Sequence, residues 1–197
     1  MEQHAGPADP TRCERMKLRR ASYGLTLAML LASAPLAAMA QAAVHAHVHG
    51  QLKLDVTVEG PTVVIEMASP LDNFVGFEHA PKTGAEKKSA DEAVAQLRAA
   101  DQLFKIDPSA NCKLGPVTLR SAALGLGKDA PGATEGHADL DGTFAFNCTN
   151  AAAAKFIDIG LFTAFKGPRQ IDAQIVAPQG QFKRTLKRPN ARLAWGK

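Results

Sequence analysis

His49-Gly-Gln-Leu-Lys-Leu-Asp-Val-Thr-Val-Glu-Gly-Pro-Thr-Val-Val-Ile-Glu-Met-Ala-Ser69 is the stretch that decides the fold class. Leu52, Leu54, Val56 and Val58 alternate with Lys53, Asp55 and Thr57. Alternation of period two puts apolar side chains on one face of a strand and polar ones on the other. Glu59-Gly-Pro61 supplies turn chemistry, and Val63, Ile65 and Met67 resume the pattern. Residues 50–69 therefore predict an antiparallel hairpin with one buried face, ended by Ser69-Pro70.

Outward from this hairpin, residues 71–83 read as an ordered loop, because Phe74, Val75 and Phe77 sit among Gly, Asn and Pro. Ser89-Ala-Asp-Glu92 matches a capping box and predicts a helix over about 89–104, stopped by Pro108. Residues 112–124 return to strand character. Residues 125–136 hold five Gly or Pro and form a Gly-rich connector. Strand patterning recurs over 137–148, a short helix fits 151–156, and 157–165 reads as a strand or mixed segment. A final hairpin pairs 171–176 with 181–186 across Pro178-Gln-Gly180. The expected class is α+β, mainly antiparallel sheet with one or two helices. Residues 41–197 are expected to form a single domain, with two halves of similar layout, 41–124 and 137–197, joined by 125–136.

The leading forty residues carry a different message. Met16-Lys-Leu-Arg-Arg20 precedes the apolar run Leu25-Thr-Leu-Ala-Met-Leu-Leu-Ala32, and small residues follow to Ala38-Met-Ala40. That order is a secretory signal peptide, and Met16 is a second candidate start. The apolar run is shorter than the roughly 20 residues that span a bilayer. A periplasmic location with no stable membrane insertion after cleavage is therefore expected.

The 197-residue chain has 23 Lys and Arg, 19 Asp and Glu and a formal charge of +4. Residues 1–40 hold five of the basic and three of the acidic residues, so the remainder carries 18 − 16 = +2. Such a balance lacks the basic stripe that nucleic acid binding needs, and one Trp with one Tyr gives no stacking platform. Cys13 leaves with the leader. Cys112 and Cys148 remain, and outside the cytoplasm an even pair is expected to form a disulfide.

Three of the six His, namely His45, His47 and His49, stand at i, i+2 and i+4, with His79 in Gly76-Phe-Glu-His-Ala-Pro81. In an extended chain, alternate residues lie about 6–7 Å apart on one face, so their imidazoles can converge on one cation. Zn²⁺ accepts such nitrogens with a carboxylate or water completing a tetrahedron. His137 and Asp139, on one strand face, add a second-half contribution. Glu78 is a weaker candidate, since neighbours along a strand point oppositely. Cu²⁺ and Ni²⁺ are alternatives: cleavage after Ala42 leaves Ala43-Val-His45 at the terminus, where an amine, two amides and an imidazole enclose a square-planar ion. Neutral imidazoles bind near pH 7 and are expected to release metal below about pH 6. Motifs for an activated serine, a His-Glu-x-x-His zinc protease or a phosphate loop are absent from the sequence.

Four blocks together carry a family likeness: His45-Ala-His-Val-His-Gly50, Ser69-Pro-Leu-Asp-Asn-Phe-Val-Gly-Phe-Glu-His-Ala-Pro81, His137-Ala-Asp139 leading to Phe144-Ala-Phe-Asn-Cys148, and Pro178-Gln-Gly-Gln181. In their order the chain resembles the ZrgA-type family, Zur-regulated zinc-binding proteins of the periplasm. The resemblance implies a protein, not an enzyme, that captures or buffers Zn²⁺ for uptake under zinc limitation and passes it to an inner-membrane ABC-type metal transporter. Members typically carry a His- and acid-rich insertion ahead of the His137 block. Here that stretch is Gly125 to Gly136, without His, which shifts the binding role to the amino-terminal cluster, His79 and His137. Two readings from other classes stand beside this one, a non-catalytic adaptor of an envelope transport complex and a metallohydrolase.

Overall fold

A computed structural model describes residues 48–127 and 138–196. The expected leader, His45, His47, His137 and most of the Gly-rich connector lie outside the described residues. Strands β1 (Gln51–Glu59) and β2 (Thr62–Ala68) form the expected hairpin, with Val56 opposite Ile65 and Glu59 opposite Thr62. Strands β4 (Cys112–Arg120) and β5 (Asp141–Cys148) pair antiparallel, as do β7 (Gln170–Ala177) and β8 (Gly180–Lys187). These join in one six-stranded sheet of order β4-β5-β2-β1-β7-β8. The contact of β1 with β7 is parallel, with Val56 beside Ile175.

Alternation within each strand makes this sheet two-faced. A row crosses five strands from Phe144 to Ile65, Val56, Ile175 and Phe182, with Val117 beyond Phe144 on the sixth. Phe144, Ile65, Val56 and Ile175 in this row are almost wholly buried, whereas Lys53, Asp55, Glu59 and Glu66 face solvent. Against the apolar face lies a small antiparallel sheet of β3 (Phe104–Ile106), β6 (Phe156–Ile159) and β9 (Arg192–Ala194), in the order β3-β6-β9. The rings of Phe104 and Phe144, 5.0 Å apart, join the two sheets through the core.

Four α-helices are described: α1 (Asp72–Val75), α2 (Gly84–Arg98), α3 (Ala100–Leu103) and α4 (Leu161–Ala164). The helix expected over 89–104 is corrected. It begins at Gly84, where the Thr83 hydroxyl accepts the Glu86 N–H and the Glu86 carboxylate accepts the Thr83 N–H. It ends at Arg98, and residues 104–106 are strand, because Phe104 is needed in the core. Thr83-Gly-Ala-Glu86 and Ser89-Ala-Asp-Glu92 both match the capping box; the first nucleates, and Ser89 is then carried inside the helix. Of the loop expected over 71–83, residues 72–75 are a helical turn. Among the described residues, no helix is long and apolar enough to cross a membrane.

Asp107 fastens the small sheet. Its carboxylate accepts the Ser109 hydroxyl at 2.7 Å, the Ser109 N–H at 3.0 Å and the Lys155 N–H at 3.1 Å. Burial alone would raise its pKa, but these donors outweigh burial and hold it below the usual carboxylate value. A depressed folded pKa contributes stability that is present above the unfolded value near 3.9 and is lost as pH falls through the folded one. Asp107→Ala is expected to cost about 1–3 kcal/mol at pH 7. Urea titrations at pH 7 and pH 3 check it: the difference between wild type and variant should shrink at the lower pH.

Candidate metal centre

Three local features bring the start of β1 to α1. Gly50 adopts φ +81°, open to glycine at little cost, and turns the chain after His49 into the sheet. The Gly50 carbonyl accepts the N–H groups of Arg169 at 2.7 Å and Gln170 at 3.0 Å, which extends the parallel β1–β7 pairing by a step. Asn73, 2% exposed, reaches back from α1: its Oδ1 accepts the Gly50 N–H at 2.9 Å, and its Nδ2 donates to the Gln51 carbonyl at 2.9 Å and to the Ser69 hydroxyl at 3.0 Å.

This clasp sets His49 against two carboxylates. His49 Nδ1 hydrogen-bonds Asp72 Oδ2 and lies 3.7 Å from Glu78 Oε1. One ligand atom from each of His49, Asp72 and Glu78 lies within 4.8 Å of the other two. The hydrogen bond and negative charge of Asp72, with the charge of Glu78, raise the His49 pKa above the ordinary imidazole value. A divalent cation would take the place of the proton held between this nitrogen and the carboxylates.

The donors fit zinc: one neutral imidazole and two carboxylates would neutralise its charge, and all three are ordinary ligands for it. Asp72 Oδ1 is buried and has no hydrogen-bond partner among the described residues, an acceptor left with unused capacity. His49 is 63% exposed while Asp72 and Glu78 are 23% and 20% exposed, so the group opens to solvent on the imidazole side.

The sequence candidates divide around this group. His49 belongs to it. His79 is turned elsewhere: its ring stacks on Phe77 with centroids 5.0 Å apart, its Nδ1 lies 3.0 Å from the Ala80 carbonyl, and its Nε2 is 3.8 Å from Glu86 Oε1. Asp139 forms a β-bridge with Pro70, and flanking bonds from Leu71 N–H to the Ala138 carbonyl and from Leu140 N–H to the Ser69 carbonyl bring its segment beside α1. Cys112 and Cys148 face each other across β4 and β5 and are bridged.

Spacing between His residues does not point to Asp72, and strand geometry makes Glu78 a weak candidate. That geometry does not apply: Gly76, at φ +84°, caps α1, and Glu78 follows it in an irregular segment rather than a strand. A model of the family described as ZrgA family zinc uptake protein matches residues 46–195. No curated protein matches the chain.

Proposed function

This chain belongs to the ZrgA family of zinc uptake proteins, and from that premise we propose that it is exported by residues 1–40 and captures or buffers Zn²⁺ in the periplasm for a transporter. The observation that carries the reading is the convergence of His49, Asp72 and Glu78 at the open end of the β1–β2 hairpin. Zinc is the cargo, and these three side chains hold it. His45 and His47, at alternate positions upstream of His49, are proposed as further ligands, as are His79, His137 and Asp139 from the family blocks. Cu²⁺ and Ni²⁺ are competitors for the same donors. The activity is binding and transfer, with no bond made or broken in a substrate.

The mechanism follows from the donors. Binding replaces the proton that His49 shares with Asp72, so capture releases acid and a more acidic medium favours release. The exposed imidazole edge leaves a route for an accepting ligand to approach without unfolding the site.

Competition titration with a chromophoric chelator tests the centre. Each of His49→Ala, Asp72→Ala and Glu78→Ala is expected to weaken zinc binding by at least about tenfold, and the double variant Asp72→Ala/Glu78→Ala by at least about a hundredfold. Folded variants that bind zinc as wild type does would sink the centre and leave capture to residues 45 and 47 or to another part of the chain.

A further inference from the structure

The guanidinium of Arg169 lies against the turn that presents His49. Its terminal nitrogen is 3.4 Å from the His49 carbonyl, and an added Cβ on Gly50 would lie 2.5 Å from Nε, so only glycine leaves room for it there. The backbone of the same residue is tied to Gly50. Among the described residues Arg169 forms no ion pair with a carboxylate, and its cation stands beside the His49–Asp72–Glu78 group.

Resting on the zinc-centre reading above, we infer that Arg169 is an electrostatic brake on the His49–Asp72–Glu78 centre, a fixed cation that lowers the affinity for divalent metal and speeds its release. The sign follows from Coulomb's law. A neighbouring unit charge repels a dication twice as strongly as it repels a proton, so it penalises the loaded state more than the protonated empty one. For a carrier this is useful, because a lower affinity favours handing the ion over. Arg169 touches no metal in this scheme. It acts through space, and its backbone bonds to Gly50 persist whatever its side chain.

The test is zinc titration of the full exported chain and its variants at two salt concentrations. Arg169→Gln and Arg169→Met, the second retaining an apolar stem over Gly50, are expected to bind zinc about three- to tenfold tighter than wild type at 20 mM salt. The gap should close to about twofold or less in 1 M NaCl, where screening acts within about 3 Å. Arg169→Lys should behave as wild type. Transfer of bound zinc to a chelator should be slower in the two neutral variants. Neutral variants that bind no tighter than wild type at low salt, or a gain that persists unchanged in 1 M NaCl, overturn the brake. A wild type with a flat isotherm brings down the centre and the brake together, and so is distinguishable from failure of the brake alone.

Discussion

Asn73→Ala is expected to lower the unfolding free energy by about 2–4 kcal/mol and, in the fraction that stays folded, to weaken zinc binding by at least about tenfold. Asn73 is a buried side chain whose three hydrogen bonds each end on a different piece of the site's frame: Gly50, Gln51 and Ser69. Truncation leaves the Gly50 N–H without its acceptor in a place that water does not reach, and buried donors without partners cost about 1–3 kcal/mol each. The functional loss has the same origin. His49 is held to Asp72 by the residue that follows each of them, Gly50 on one side and Asn73 on the other. Once that bond is gone, His49 is free to swing away from the carboxylates. Asn73→Asp keeps the acceptor for Gly50 but loses both donated bonds and sets a buried carboxylate against the Gln51 carbonyl, so at pH 7 it should be no more stable than alanine. Urea midpoints with zinc isotherms on both variants check this; an alanine variant within about 0.5 kcal/mol of wild type and with undiminished affinity would refute it.

Much of this frame could be read from the chain. The β1–β2 hairpin follows from alternation and turn chemistry alone, and its register carries further than the strands do. Partners in that ladder sum to 121, as in Lys53 with Ala68 and Glu59 with Thr62, and 49 and 72 also sum to 121. Folding the hairpin at Gly60 and extending it past its last pair would therefore have set Asp72 across from His49. Spacing between His residues points to the strand end where His49 meets Asp72 and Glu78 but cannot show those acidic neighbours, because residues contributed by facing segments leave no local period.

The misplaced helix start has a comparable cause. Two capping signals compete six residues apart, and local sequence does not say which one the tertiary structure will use. The parallel contact of β1 with β7 was illegible for a stronger reason: its partners lie more than a hundred residues apart, and either edge of the hairpin could have received them. That contact matters to the site, since it delivers Arg169 to Gly50.

Replacing both Cys112 and Cys148 by Ser is expected to lower stability by about 4 kcal/mol, from the entropy of a loop closed across a separation of 36 residues. The loss should fall unevenly. Among the described residues strand β4 lies at one edge of the sheet and pairs only with β5, and its ladder is interrupted between Leu114 and Val117, where Gly115 and Pro116 sit. The bridge secures the short piece from Cys112 to Leu114, which has few ladder bonds of its own. Amide exchange in β4 should therefore accelerate far more than in β1, β2 or β7. The candidate centre stands on the opposite side of β2 in strand order, at the entry to β1 and around α1, and Asn73, Gly50 and the Arg169 backbone hold it through bonds that do not involve the bridge. Zinc affinity of the folded serine variant should accordingly stay within about twofold of wild type, a difference of about 0.4 kcal/mol. Loss of stability accompanied by a large loss of zinc affinity would mean that the edge of the sheet and the candidate centre are coupled through the β2–β5 ladder.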